Sequence, residues 1–191
     1  MVTWFDVRDA VEARYEVLGP LVWDSPHEDG DPLPESYERT SDFRRFEAPV
    51  LRVRAWVDAL VGLGVASAVE VGYVQQGEKR LRRELVRAKR SGTLALWVTT
   101  GVQEPTTLAV AHPQLVIESE PRCGCDGCDF GSESLLGLFD CAFESVVTGD
   151  VTVRQDEQDR YVYLSQFSSQ GGAHFLDHPL VGQRHGAAWV D

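Results

Sequence analysis

Leu81-Arg-Arg-Glu-Leu-Val-Arg-Ala-Lys-Arg90, then Ser91-Gly92, then Thr93-Leu-Ala-Leu-Trp-Val-Thr99 is the stretch on which the fold turns. Leu81, Leu85 and Ala88 have helical spacing, which would make the middle of the chain a helix. Ser-Gly followed by an apolar run reads instead as a hairpin turn and its return strand. The flanks favour the hairpin. Upstream, Ala68-Val-Glu-Val-Gly-Tyr-Val74 alternates as a half-buried strand does. Downstream, Thr107–Ala111 and Leu115–Ser119 flank His112-Pro113-Gln114, a second hairpin whose proline belongs to the turn. Strand follows strand without a helix between them, so the pairing is expected to be mostly antiparallel.

Beyond this block the apolar period changes to that of helices. Trp4, Val7, Val11, Tyr15 and Leu18 predict an amphipathic helix over 2–18, with Thr3 or Asp6 at its start and Gly19-Pro20 as its stop. Val50, Val53, Trp56, Val57 and Leu60 predict a second over 48–62, with Pro49 in its first turn and Arg52, Arg54 and Asp58 off the apolar stripe. Leu135, Leu136, Phe139, Ala142, Phe143, Val146 and Val147 predict a third over 132–148, with Ser132 as N-cap and Gly149 as C-cap. Val151–Arg154 and Tyr161–Leu164 read as two further strands. Residues 24–36 form an acidic, proline-rich loop. Its acids Asp24, Glu28, Asp29 and Asp31 lack the glycine and glutamate spacing of a calcium loop. The tail at 171–191 carries no assignable element, and Trp189 is expected to dock it onto the body. The expectation is one α+β domain over 1–191, a mostly antiparallel sheet packed by about three helices.

Composition narrows the functional classes. A chain of 191 residues with 43% apolar and 25% charged side chains can build a core. No apolar run reaches the ~20 residues of a membrane span, and charges scattered from Asp6 to Arg14 leave no signal-peptide core. A cytoplasmic protein is expected. The net charge of −12 is uneven. Residues 1–47 carry 12 acids against 5 bases, 48–100 carry 4 against 9, and 101–191 carry 14 against 4. Such a chain repels nucleic acid at long range. If the charge serves recognition, the partner is a basic protein; otherwise it serves solubility. The basic run Lys79-Arg80-Leu-Arg-Arg83 lacks interleaved aromatics for base stacking and reads as a solvated face.

The densest chemistry is Cys123-Gly-Cys-Asp-Gly-Cys-Asp129, just ahead of the third helix. In a reducing compartment clustered cysteines point to metal or redox chemistry before a structural disulfide. Thiolates bind zinc tightly, and Gly124 and Gly127 are expected to permit the backbone angles that turn Cys123, Cys125 and Cys128 toward one ion. A fourth zinc ligand is not adjacent. Cys141, inside the third helix, is one candidate; His174 and His178, with the His-x3-His spacing of a metal pair, are others. A second reading is a redox pair, Cys125-Asp-Gly-Cys128, ahead of a helix whose N-terminus lowers thiol pKa values. Asp126 and Asp129 oppose that effect. The third is a reduced turn whose cysteines pack as small hydrophobes.

The same residues carry a resemblance. Cys-Gly-Cys-Asp-Gly-Cys-Asp, followed by a Glu-containing helix ending near Val146-Val-Thr-Gly149, resembles the hallmark of an uncharacterised actinobacterial domain-of-unknown-function family. Weaker matches are Tyr37-Glu-Arg-Thr40, Arg45-Phe46 and Leu94-Ala-Leu-Trp-Val98, so the likeness spans roughly 37–150; Cys141 stands outside the pattern. The resemblance implies a cytosolic bacterial protein and no particular reaction. The leading expectation is a non-enzymatic protein acting through protein contacts, with a cysteine loop that binds structural zinc or packs as a tight turn. The alternatives are a thiol-disulfide oxidoreductase using Cys125 and Cys128, and a catalytic metal site with an open position.

Overall fold

Thr3 starts the first helix through a capping box: its amide donates to Asp6 at 2.8 Å, and its hydroxyl accepts from the Asp6 amide at 3.3 Å. The helix, α1, spans Trp4–Leu18, buries Val7, Val11 and Tyr15, and ends at Gly19 with φ +81°. The structure is a computed structural model and describes residues 1–27, 30–155, 161–165 and 184–191. A 3-10 turn, Pro34–Glu38, overlaps the end of the acidic loop expected over 24–36.

Helix α2 spans Arg44–Gly62, four residues longer at its start than the apolar stripe suggested. The Asp42 carboxylate accepts the Arg44 amide at 2.9 Å and so opens the helix early. Pro49 therefore lies inside the helix rather than in its first turn. It forgoes the bond to the Arg45 carbonyl. Val53, Trp56, Val57 and Leu60 are buried as expected, but so is Arg52, read from the sequence as lying off the stripe. Its guanidinium reaches Glu12 of α1 at 2.6 Å and Asp140 of the third helix at 2.8 Å. Trp56 Nε1 also donates to Asp140, at 2.7 Å. One carboxylate thus joins two helices, and its partner arginine joins three.

The deciding stretch is a strand. β1 (Ala66–Gln76), β2 (Lys79–Ala88), β3 (Leu96–Thr100), β4 (Thr106–Val110) and β5 (Val116–Glu120) form an antiparallel meander in chain order. Val86, Leu96 and Val110 pair across three strands and are fully buried, which fixes the inner face and hence the register. A second antiparallel sheet, in the order β7 (Tyr161–Leu164), β6 (Thr152–Gln155), β8 (Arg184–His185), follows the third helix.

That helix, α3, spans Gly131–Val147. Its N-cap is Phe130, not Ser132. Ser132 is the second residue of the helix, where its hydroxyl accepts the Trp23 amide and donates to the Trp23 carbonyl, both at 3.1 Å. The C-cap is Thr148, and Gly149 follows it at φ +81°. The core draws on all three helices, the inner face of the meander, and the chain end at Trp189 and Val190. Trp56 stacks on Phe143 at 4.9 Å and on Trp4 at 5.8 Å. Trp189 is buried as expected, and its amide donates to the Val147 carbonyl at 2.7 Å. The fold is α+β, with three helices against antiparallel sheets. Among the described residues no helix is long and apolar enough to cross a membrane.

Candidate metal centre

The loop from β5 to α3 carries all seven residues of the cysteine motif. It leaves the sheet at Pro121, bends at Arg122 and Cys125 and makes one 3-10 turn, Asp126–Cys128, before α3 begins. That turn folds the chain back so that the sulfurs of Cys123, Cys125 and Cys128 all lie within 4.8 Å of one another. The Cys123 and Cys125 sulfurs are 3.0 Å apart, and the Cys125 amide donates to the Cys123 sulfur at 3.4 Å. All the cysteines are free thiols. A tetrahedral zinc with bonds of about 2.3 Å sets its thiolate sulfurs about 3.8 Å apart. The three sulfurs, all within 4.8 Å of one another, lie close enough together to share one ion.

The spacer residues of the motif are held by residues 37–46. A Cβ on Gly124 would lie 3.0 Å from the Phe46 ring, and one on Gly127 would lie 2.7 Å from the Tyr37 ring. Neither glycine has a positive φ. Their role is close packing rather than the unusual backbone angles expected of them. Arg45, 3% exposed, is the hub. Its Nη1 donates to the Cys125 carbonyl at 2.6 Å, its Nη2 to Asp126 at 3.1 Å, and its Nε to the Asp42 carbonyl at 2.9 Å. Asp129 lies 3.4 Å from the same Nη2. Asp126 also accepts the Ser41 amide at 2.8 Å and Arg39 Nε at 3.0 Å. Asp129 accepts Trp23 Nε1 at 2.9 Å and the Gly131 amide at 3.0 Å.

These partners decide the local electrostatics. Hydrogen bonding from the Ser41 amide, aided by Arg45 and Arg39, holds the Asp126 carboxyl below the usual carboxylate range. With both aspartates neutralised by guanidinium, the thiols perturb one another. Hydrogen bonds from Cys125 lower the Cys123 thiol, with a smaller contribution from the Arg45 charge. Its hydrogen bond with Cys125, followed by burial, pushes the Cys128 thiol up to about 11. This is the opposite of what an attacking Cys128 would need.

Among the described residues the group comprises these three cysteines. Cys141 lies on α3 beside Asp140 and Glu144, and burial raises its thiol. His174 and His178 lie outside the described residues. Sequence reasoning missed Ser41 and Trp23, and met Arg39 and Arg45 only as upstream matches with no role at the cysteines. The available signal was the pair of aspartates three apart in a buried turn, since buried carboxylates need cationic partners.

Two cavities meet at Arg45 and Asp129. A polar one of about 530 Å³ lies toward His27, Arg39 and Arg44, where the Arg44 guanidinium lies 5.5 Å from the Trp23 ring centre. A more apolar one of about 260 Å³ is lined by Cys123 and Cys128 together with Pro121, Phe130, Leu135 and Leu138.

The fold and the site define an α+β protein whose β5–α3 loop presents three thiols able to hold a metal. The chain belongs to a family of unknown function, DUF6226, whose model matches residues 10–188. That match runs beyond the roughly 37–150 of the motif resemblance at both ends. No curated protein and no solved structure matches the chain significantly.

Proposed function

We propose that this protein is a zinc-binding, non-enzymatic cytoplasmic protein that acts through contacts made around its cysteine loop. The observation that carries the reading is the convergence of three free thiols within 4.8 Å on a loop pinned by a buried arginine. Zinc is favoured because three clustered thiolates are soft donors and the ion binds them without redox chemistry. The motif resemblance supports an actinobacterial source. The net charge of −12 supports a basic protein as partner, and a pull-down whose capture weakens with salt tests that part.

The metal reading is tested with single Cys→Ser variants at 123, 125 and 128. Each is expected to lose bound zinc to a chromogenic chelator far faster than the wild type. Equal release from all three and from the wild type would refute it. An oxidoreductase reading predicts instead that Cys125 and Cys128 cycle through a disulfide and that zinc does not protect them from alkylation.

A further inference from the structure

The apolar cavity beside the thiols holds about 260 Å³, a little under the range of about 300–1,000 Å³ that takes drug-sized ligands. Cys123 and Cys128 line it, and both are exposed, whereas Cys125 is buried and does not line it. Two thiols of the trio therefore face this space and one anchors the loop from behind. Pro121, Phe130, Leu135 and Leu138 supply the walls, and Phe130 and Leu138 keep 59% and 42% of their surface open to solvent. Two carboxylates line the same cavity and both are engaged: Glu120 by Arg122 Nε and the Arg122 amide, both at 2.9 Å, and Asp129 by Trp23 Nε1, the Gly131 amide and Arg45. Among the described residues no fourth donor joins the three sulfurs.

We propose that the zinc held by Cys123, Cys125 and Cys128 takes its fourth ligand from a small thiol with an apolar body, seated in this cavity. The inference rests on the zinc reading above. A thiolate-rich site prefers another soft donor over a hard oxygen, which selects sulfur. The walls select an apolar substituent, and the volume limits it to a small one. Three thiolates already leave the loaded site with a net negative charge, and a fourth would add to it. Arg45 and Arg122 line the cavity with their counter-ions Asp129 and Glu120, so the ligand must be small and its binding must draw on the zinc–sulfur bond and the apolar walls. On binding, the S–H proton leaves to solvent as the zinc–sulfur bond forms; nothing is oxidised or reduced.

The test uses the full chain loaded with cobalt(II), whose sulfur-to-metal charge-transfer band counts thiolate ligands, titrated with phenylmethanethiol. The expected result is a saturable rise of about one third in that band as a fourth thiolate joins three, with cobalt retained on gel filtration. Phenylmethanol, the same body with an oxygen donor, is expected to leave the spectrum unchanged. Leu138→Trp, which fills the cavity from a partly exposed position, is expected to raise the thiol concentration needed by about tenfold or more while keeping the three-thiolate spectrum. A cobalt-loaded chain whose spectrum the thiol does not change, or that surrenders its cobalt to the thiol, overturns this inference and leaves the metal reading standing. A chain that binds no cobalt overturns both.

Discussion

Arg45 donates from Nη1 to the carbonyl of Cys125 at 2.6 Å, a contact between the first turn of α2 and the middle of the thiol cluster. The bond fixes backbone rather than sulfur, so it sets the orientation of the loop without consuming a ligand. The same guanidinium holds Asp126 and Asp129, the two acids interleaved with the cysteines. Supporting groups of this kind commonly change metal affinity by about 10–100-fold when altered. Arg45→Lys, which keeps the charge and loses the fork, is expected to lower zinc affinity by about that factor in a competition titration. Unchanged affinity would show that the loop holds its shape without α2.

Gly131 ties the loop to the chain ahead of α2. It has φ +85°, and a Cβ there would lie 2.8 Å from the Ser25 backbone nitrogen. Gly131→Ala adds both backbone strain and a clash with main chain that has no rotamer to yield. The expected cost is about 2 kcal/mol or more, read as a lower urea midpoint at constant slope.

Arg52 performs the corresponding task among the helices, and it makes a pH prediction. Its hydrogen bonds hold Glu12 below the ordinary glutamate range. A depressed carboxyl adds stability that is present above its unfolded value and is lost as pH falls through its folded one. Arg52→Met is expected to cost about 2 kcal/mol at neutral pH, less than for a fully enclosed pair because Glu12 is 62% exposed. The gap between variant and wild type should narrow on acidification. A gap independent of pH would place the cost in packing alone.

Glu118 has the opposite sign. It is buried on β5, and burial raises its carboxyl above the ordinary value. The folded chain keeps that proton where the unfolded chain has lost it, so the associated stability is present at low pH and lost as pH rises through the folded value. Glu118→Gln keeps the acceptor that takes the Ser119 amide at 2.8 Å. It is expected to raise the melting temperature at neutral pH and to leave it unchanged in acid. A lower melting temperature at neutral pH would mean that Arg122, at 3.7 Å, outweighs the burial.

Cys141 provides the internal control for the ligand set. Its place on α3 among Asp140 and Glu144 keeps it outside the sulfur cluster. Cys141→Ser is expected to retain full metal content, and loss of metal in that variant would redraw the site.

The meander was legible because strand spacing, Ser91-Gly92 and His112-Pro113-Gln114 all agree on where the chain reverses. The helices were legible from their apolar period, and the cysteines from their density. What periodicity cannot show is a charge that folding buries. Arg52 and Arg45 sit among apolar neighbours because carboxylates distant in sequence complete their hydrogen bonds: Glu12 and Asp140 for one, Asp126 and Asp129 for the other. Helix starts drifted for the same reason. Asp42 opens α2 ahead of its apolar stripe, and Ser132 leaves its capping role to bond Trp23. The upstream matches Tyr37, Arg39, Thr40, Arg45 and Phe46 gain a physical meaning only in three dimensions. Tyr37 and Phe46 cover the glycines of the cysteine loop, Arg39 and Arg45 neutralise its aspartates, and the Thr40 hydroxyl lies 3.7 Å from where a Gly124 Cβ would be.

The most direct test of the metal centre is the metal content of natively purified protein, with thiol titration on the same sample. One zinc per chain, with three thiols protected until a chelator is added and Cys141 reacting independently of the metal, is the predicted result. No metal, with all four thiols equally free, would contradict it.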